Sequence, residues 1–458
     1  MPLEHVLPDT VQPIATRRKA GHDLRKAVPR SHHAAWTQSA NRRDPVQLLI
    51  HSNRHLLSHL LPLRYGRMRG SPFAFLRGSA AIMAADLAHT PSTGLRVQSC
   101  GDCHLANFGT FASPEGTPVF DLNDFDETLP APFEWDLKRL AASFAVAGRS
   151  RESPDRLCRQ LARGVASAYR THMAALSKLA PLDAWRSRID ARQVLQGIED
   201  THLRDREMKR LHAVTLASHK GYPKLIERHK GTWRIRARPP LIDPLSGQAD
   251  DTHEMAVRTA FESYKLSLPD EQRLLLDRYR LVDVAFKVVG VGSVGTFCAI
   301  GLFVTPDDAT LLLQLKEARA SVLAPYAGPG RFSNHGQRVV VGQRIMQADS
   351  DVFLGWTEDR GDGQPCYVRH LKDPRMALIG SDIAEQALPH HAMLCGLALA
   401  RAHARSGDAA RIAGYMGSGG AFDAAIGEFA MAYADQVDHD WRLFVDAIGS
   451  GVIEAHDA

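Results

Sequence analysis

The chain has 458 residues, 44% of them hydrophobic and 23% charged, a composition that excludes disorder, collagen and coiled coil as the main architecture. At roughly 100–200 residues per domain, the length allows about two to four units, each able to bury a core without disulfides or metal. The 56 Lys and Arg against 51 Asp and Glu leave a formal charge of +5, which favours anionic ligands only slightly and does not imply nucleic acid.

The first forty residues carry Pro, His and basic clusters (Arg17, Arg18, Lys19, Arg25, Lys26, Arg30) without apolar periodicity, and read as a mostly irregular arm. No basic region followed by an apolar core opens the chain, so no signal peptide is expected and a cytoplasmic location follows. Helices are predicted near 43–62 and 72–89. From Leu95 the pattern turns to short β-like runs, LRVQSC, NFGTF and TPVFDL, separated by polar loops. Residues 134–215 return to helical spacing. The basic stretch 201–238 reads as a solvated face and linker, since no RNA- or DNA-binding signature accompanies it. After a helix near 252–266 come three strands, LVDVAFKVVG, VGTFCAIGLFV and ATLLLQLK, then a helix near 333–346 and strands near 352–357 and 366–371. The Ala-rich tail from Ile383 is helical again. The longest apolar stretch, Val288 to Val304, is too short and too rich in Gly and β-branched residues for a membrane helix, and reads as a buried strand pair. Six irregularly spaced cysteines fit a reducing compartment better than a disulfide framework.

Nearly all the polar chemistry falls in two constellations. The first is Cys100-Gly-Asp-Cys-His-Leu-Ala-Asn-Phe-Gly109, followed by Phe120-Asp-Leu-Asn-Asp-Phe-Asp-Glu127 and Trp135-Asp-Leu-Lys-Arg-Leu140. Asp, His and Asn between apolar strands are costly to bury unless they bind something. Asp102 precedes Asn107 by five positions, the spacing of the phosphotransferase catalytic loop, where Asp takes the acceptor's proton and Asn holds a metal. Asp124, with Asp126 beside it, then matches a metal-binding carboxylate; with Asn107 these oxygen ligands suit Mg2+. A structural or surface role for these residues stays open. His104 is a substrate contact or a loop-bracing histidine. The formal C-x-x-C-H haem pattern at Cys100–His104 is set aside, because it leaves Asp102 and Asn107 unexplained.

The second constellation is Gly290-Val-Gly-Ser-Val-Gly295 between two predicted strands, with Lys316 at the end of a third. A dinucleotide fold needs a helix after such glycines, whereas Thr296 to Val304 reads as strand. Strand, Gly-rich turn, strand and Lys-bearing strand is the arrangement that covers ATP phosphates in protein kinases, with Gly290, Gly292, Ser293 and Gly295 close to the phosphates and Lys316 supplying charge. A plain Gly-rich hairpin is the alternative. The Glu that orients such a lysine is absent from the helix near 333–346; Glu317 points to the opposite strand face, and Gln337, Arg338 and Gln343 are the remaining contacts.

These strings, together with Arg64-Tyr-Gly-Arg-Met68, Ser71-Pro-Phe-Ala-Phe-Leu-Arg-Gly78, GQRIMQADSDVFLGW and Ala402-His-Ala-Arg-Ser-Gly407, closely resemble the family called domain of unknown function 2252, over most of the chain. More loosely, Gly101-Asp-Cys-His-Leu-Ala-Asn107 is similar to the Gly-Asp-x-His-x-x-Asn loop of aminoglycoside and choline phosphotransferases. That likeness implies Asp102 as catalytic base, Asn107 and Asp124 as Mg2+ ligands, and Asp136 bracing the loop from a helix. Those kinases place the Gly-rich sheet before the catalytic loop; here it follows, so a circular permutation is expected, which is tolerable when the old connection is cut at the surface.

The expected architecture is α+β: an irregular arm (1–40), a helical lobe with the catalytic and metal loops (41–277), a small antiparallel sheet lobe (278–375) and C-terminal helices packing on the helical lobe (376–458). The expected activity is ATP/Mg2+-dependent phosphoryl transfer to a small-molecule hydroxyl or amine, with Arg64, Arg67 and Arg77 either lining an acceptor pocket or packing. AMP transfer and nucleotide binding without catalysis are the alternatives. No membrane or nucleic-acid partner is expected.

Overall fold

A computed structural model of the chain describes residues 12–196, 201–202, 204–206, 208–209, 211, 224–239, 241–245, 252–288, 294–358, 363–371 and 385–456. It is a mixed α+β structure with small antiparallel sheets. No helix among the described residues is long and apolar enough to cross a membrane.

The first helical segment is broken up by its own caps. Pro45–Asn53 starts where Asp44 accepts the Gln47 amide (2.8 Å), Leu61–Arg69 restarts with Pro62 in its first turn, and Pro72–Gly78 starts where Ser71 accepts the Ala74 amide (3.1 Å). Two strand pairs follow: β1 (Arg96–Ser99) with β4 (Leu129–Pro132), and β2 (Phe108–Ala112) with β3 (Pro118–Leu122). Behind them lie the helices Phe133–Arg149, Asp155–Leu176, Leu388–Ala404 and Ala421–Gly449. Their apolar stripes share one core that includes Leu137, Leu140, Phe144, Tyr169, Leu399 and Phe429.

The second body is a six-stranded antiparallel sheet in the order β11 (Gly355–Thr357), β12 (Cys366–His370), β10 (Thr310–Glu317), β9 (Cys298–Val304), β8 (Arg280–Lys287), β7 (Ile242–Pro244). Period-two alternation divides its faces. Leu311, Leu313 and Leu315 of β10 face the helix Thr252–Tyr264 through Val257, Phe261 and Tyr264. Leu312 lies on the other face, beneath the hairpin of β5 (Ile226–His229) and β6 (Thr232–Ile235), where it meets Ile226 and Ile235. Gln314 and Lys316 continue that second face beyond the hairpin.

Three sequence expectations change. The arm is not irregular: Ile14–Asp23 is a helix lying on Ala409–Met416, so close that a Cβ on Gly21 would sit 1.9 Å from the Arg411 carbonyl oxygen. Arg25 and Arg30 hold it by donating to the carbonyls of Gly414, Tyr415 and Met416, which the end of that second helix leaves unpaired. Such backbone attachment leaves no apolar stripe to read. Next, the described residues 224–277 join the sheet rather than the helical lobe, because the Val257–Phe261–Tyr264 stripe and β7 are buried against β8 to β12. Conversely, His335–Met346, expected within the sheet lobe, buries Val339, Val340 and Met346 in the larger core.

Candidate functional site

The loop after β1 is held from behind by one carboxylate. Asp136, in the first turn of Phe133–Arg149, accepts the backbone N–H of Cys100 (2.7 Å) and Gly101 (3.0 Å), and His403 Nε2 lies 3.2 Å from its Oδ2. Tyr169 Oη, 2.9 Å from His403 Nδ1, completes the chain of contacts. Gly101 has φ +83°, and a Cβ there would lie 2.4 Å from the Glu127 carbonyl oxygen, so only glycine fits this turn. The turn presents Asp102. Arg139, one helical turn after Asp136 and therefore on the same face, donates through Nε (2.9 Å) and Nη2 to Asp102 Oδ1. Asn107 is tied to the same turn, its Nδ2 donating to the Asp102 carbonyl at 2.7 Å. His104 Nε2 lies 3.7 Å from Asp102 Oδ2, and burial pulls the imidazole down to about 4, so it is neutral at pH 7.

The sheet supplies the opposite side. Lys316 and Tyr367 are directly paired across β10 and β12 and so share a face. Both reach Asp126: Lys316 Nζ donates to Oδ2 and Tyr367 Oη donates to Oδ1 at 2.7 Å. Burial alone pulls the Lys316 ammonium down, but the charges of Asp126 and Asp124 outweigh it and hold the ammonium above its ordinary value. Asp126 thus supplies the carboxylate that the helix lacks. Arg338, on that helix, instead pins the loop bearing Asp126, donating to the carbonyls of Asp126 (2.6 Å), Thr128 (2.6 Å) and Arg319 (2.8 Å). Next to it burial pushes the Glu127 carboxyl up to about 7, against the pull of Arg338 and of the Val322 N–H.

Between the two sides lies a cavity of about 510 Å³. Asp102, Asn107, Asp124 and Asp126 line it from the loops, and Gln314 and Lys316 from the sheet. His104, Arg64 and Arg77 line it as well, whereas Arg67 does not, and Asp136 lies behind the loop. Arg64 is a strut, donating to the carbonyls of Gly78 (2.9 Å) and Val294 (3.2 Å). Of the Gly-rich turn, Gly290, Gly292 and Ser293 lie outside the described residues. Gly295 is described; its carbonyl accepts the Leu57 amide at 2.8 Å, and the next residue, Thr296, lines the cavity. Asp126, expected among the metal ligands, accepts from Lys316 through Oδ2 and from Tyr367 through Oδ1, while Asp124 and Asn107 line the same cavity.

Other donor groups fit a bound group less well. Cys100, Cys103 and Asp136 place their ligand atoms within 4.8 Å of one another. Burial raises both thiols, Cys103 to about 11, and both Asp136 oxygens already accept backbone N–H bonds from Cys100 and Gly101, so the carboxylate is committed to holding the loop. All six cysteines are buried and none is in a disulfide. In the basic stretch Arg228 and Trp233 turn to Asp308.

Three residues of the site go beyond the sequence reading, Arg139, Tyr367 and His403, while Arg338, named there as a contact for Lys316, instead holds the loop carbonyls. Arg139 carried a signal, its i,i+3 spacing from Asp136. Tyr367 carried none, because cross-strand register is invisible before pairing is known. A family model for an uncharacterized protein conserved in bacteria, DUF2252, matches residues 55–447. No curated protein and no solved structure matches the chain.

Proposed function

The chain belongs to the DUF2252 family, and on that premise we propose that it is an ATP- and Mg2+-dependent phosphotransferase-like protein acting on a small-molecule hydroxyl or amine, built as a circularly permuted kinase-like fold. One observation carries this reading: Lys316, from the sheet, lines the same cavity as Asp102, Asn107 and Asp124, from loops almost two hundred residues earlier.

In that cavity Lys316, on the sheet face that also carries Gln314, meets the phosphates of ATP. Asp102 has Oδ1 fixed by Arg139, which leaves Oδ2 to receive the acceptor's proton. Asn107, anchored through Nδ2, and Asp124 form the oxygen set that would hold Mg2+. When bound, the ion neutralises phosphate charge. Asp136 and His403 keep the Asp102 turn in place, so the contribution of the protein is mostly positioning.

Calorimetry of the full chain with Mg·ATP, joined to transfer assays with α- and γ-labelled ATP, tests the reading. Adenine-nucleotide binding with transfer of the γ label is the expected result, and Asp102→Asn should lower turnover at least about 100-fold while leaving ATP affinity within about twofold. Absence of nucleotide binding overturns the proposal; transfer of the α label replaces it by AMP transfer. A nucleotide-binding regulator without turnover is the second reading. It is favoured by Arg338 on the helix where kinases carry a Glu.

A further inference from the structure

The cavity is electrically divided. The carboxylates that line it, Asp102, Asp124, Asp126, Glu127 and Glu317, come from the two loops and the Lys316 strand. The wall formed by residues between 52 and 81 lines it with Ser52, Asn53, Arg64 and Arg77 among others, and with no carboxylate.

The two guanidinium groups of that wall differ. Arg64 is engaged with backbone carbonyls. Arg77 makes no hydrogen bond or ion pair within the described residues, and its Nε is buried without a partner. Burial pulls it below the ordinary arginine value, although Asp102 and Asp124 are near enough to push the other way. Arg139 holds Asp102 through Oδ1, and no hydrogen bond or ion pair joins Asp102 to Arg77 among the described residues. A buried guanidinium with no hydrogen-bonded partner is costly even with carboxylates in the same cavity, and an oxyanion brought by a ligand would remove that cost.

We propose that the acceptor is itself an anion, a small hydroxyl or amino compound carrying a carboxylate or phosphate that Arg77 binds through its guanidinium fork. This rests on the phosphotransferase reading. The acceptor's oxygen or nitrogen forms the new bond to the γ-phosphorus and its proton passes to Asp102. The bond from that phosphorus to the β,γ-bridging oxygen breaks, and ADP leaves with the electron pair. Arg77 holds the far end of the acceptor and takes no proton. Arg77 lines the same cavity as Asp102, so an anion bound to it shares that cavity with the base.

The test uses the full chain and three probes: inorganic phosphate, acetate and Mg·AMPPNP. Phosphate and acetate are titrated calorimetrically into the protein with and without Mg·AMPPNP, in the parent, Arg77→Gln and Arg77→Lys. The proposal expects phosphate or acetate to bind the AMPPNP-loaded parent. Arg77→Gln should weaken that binding at least about tenfold and Arg77→Lys less, with AMPPNP affinity unchanged within about twofold. The tighter of the two probes identifies the anion as phosphate or carboxylate. Unchanged anion binding in both variants overturns the proposal. So does a loss of Mg·AMPPNP affinity with Mg·ADP affinity intact, which would give Arg77 to the γ-phosphate. If Mg·AMPPNP fails to bind the parent, the nucleotide reading falls, and the anion titrations on the nucleotide-free protein still judge Arg77. Should Arg77→Gln fail to fold by its urea transition, Arg77→Lys decides: an anion affinity equal to the parent's overturns the fork.

Discussion

Replacing Asp126 by Asn would leave the hydrogen bond with Tyr367 possible but remove the negative charge that faces the Lys316 ammonium. Removing one member of a fully buried pair costs about 3–5 kcal/mol. The Lys316 side chain is 2% exposed and that of Asp126 28%, so solvent relieves part of the loss and about 2 kcal/mol is expected. Urea unfolding of Asp126→Asn, Lys316→Met and the double variant measures it. The cycle should return a favourable coupling above 1 kcal/mol, about the ceiling for an exposed pair. A coupling near zero would mean that Asp124 alone compensates Lys316. The same pair has a chemical consequence. Lys316 is kept charged and aimed at the loops by a residue that those loops carry, so this pair joins the two sides of the cavity. In the familiar kinase arrangement the orienting carboxylate comes from a helix; here that helix contributes Arg338, and the carboxylate comes from the strand-end loop instead.

The helix Leu388–Ala404 joins elements that no local signal connects. Its Arg401, fully buried, donates to Asp121 of β3 at 2.5 Å and to the Met346 carbonyl at 2.7 Å, while Asp121 Oδ2 also accepts the Ala348 amide. Two residues on, His403 faces Asp136. Arg401→Met should destabilise the protein by about 3–5 kcal/mol, since it strands a buried carboxylate. Arg401→Met with Asp121→Leu should recover part of that loss, and a double variant no better than the single would show that the ion pair is not the cause. Position in the chain explains what was legible. The turn Gly101–Asn107, the carboxylates at 124 and 136 and the succession of β8, β9 and the Lys316-bearing β10 are local strings that can be read without knowing a distant partner. The order of strands, the anchoring of Ile14–Asp23 by carbonyl caps and the shift of residues 224–277 onto the sheet depend on distant partners. An amphipathic stripe such as Val257–Phe261–Tyr264 says that a face is buried, not which core it enters. Arg401 illustrates the same limit, because nothing in an Ala-rich helix names β3 as its counterpart.

For the molecule as a whole, buried neutral histidines set the response to acid. Burial holds His33 down to about 3 and His104 and His391 down to about 4, against an ordinary value of 6.5. Between pH 6.5 and about 4 the unfolded chain binds protons at these positions and the folded chain does not, so folding stability falls as pH drops through that window. From pH 7 to pH 5 each histidine held at about 4 costs about 2 kcal/mol. Glu127, pushed up to about 7, runs the other way: the folded state takes its proton first, and acidification from pH 7 to pH 5 returns about 2 kcal/mol. Buried Glu134, also raised, adds to that opposing side. His172, His335 and His390 are lowered by burial as well, while Asp349 and Asp438 join the raised carboxyls; the histidines outnumber the carboxyls, acid destabilisation is the expected net result, and the contribution of one histidine can be isolated. His391 Nε2 donates to the Leu105 carbonyl at 3.1 Å, a bond that the amide of Gln can replace without titrating. Urea unfolding at pH 7 and pH 5 should therefore show His391→Gln losing about 2 kcal/mol less than the parent over the same interval. An equal loss in both proteins would mean that the imidazole takes up its proton in the folded state, and that the core around Leu105, within the turn Gly101–Asn107, admits charge.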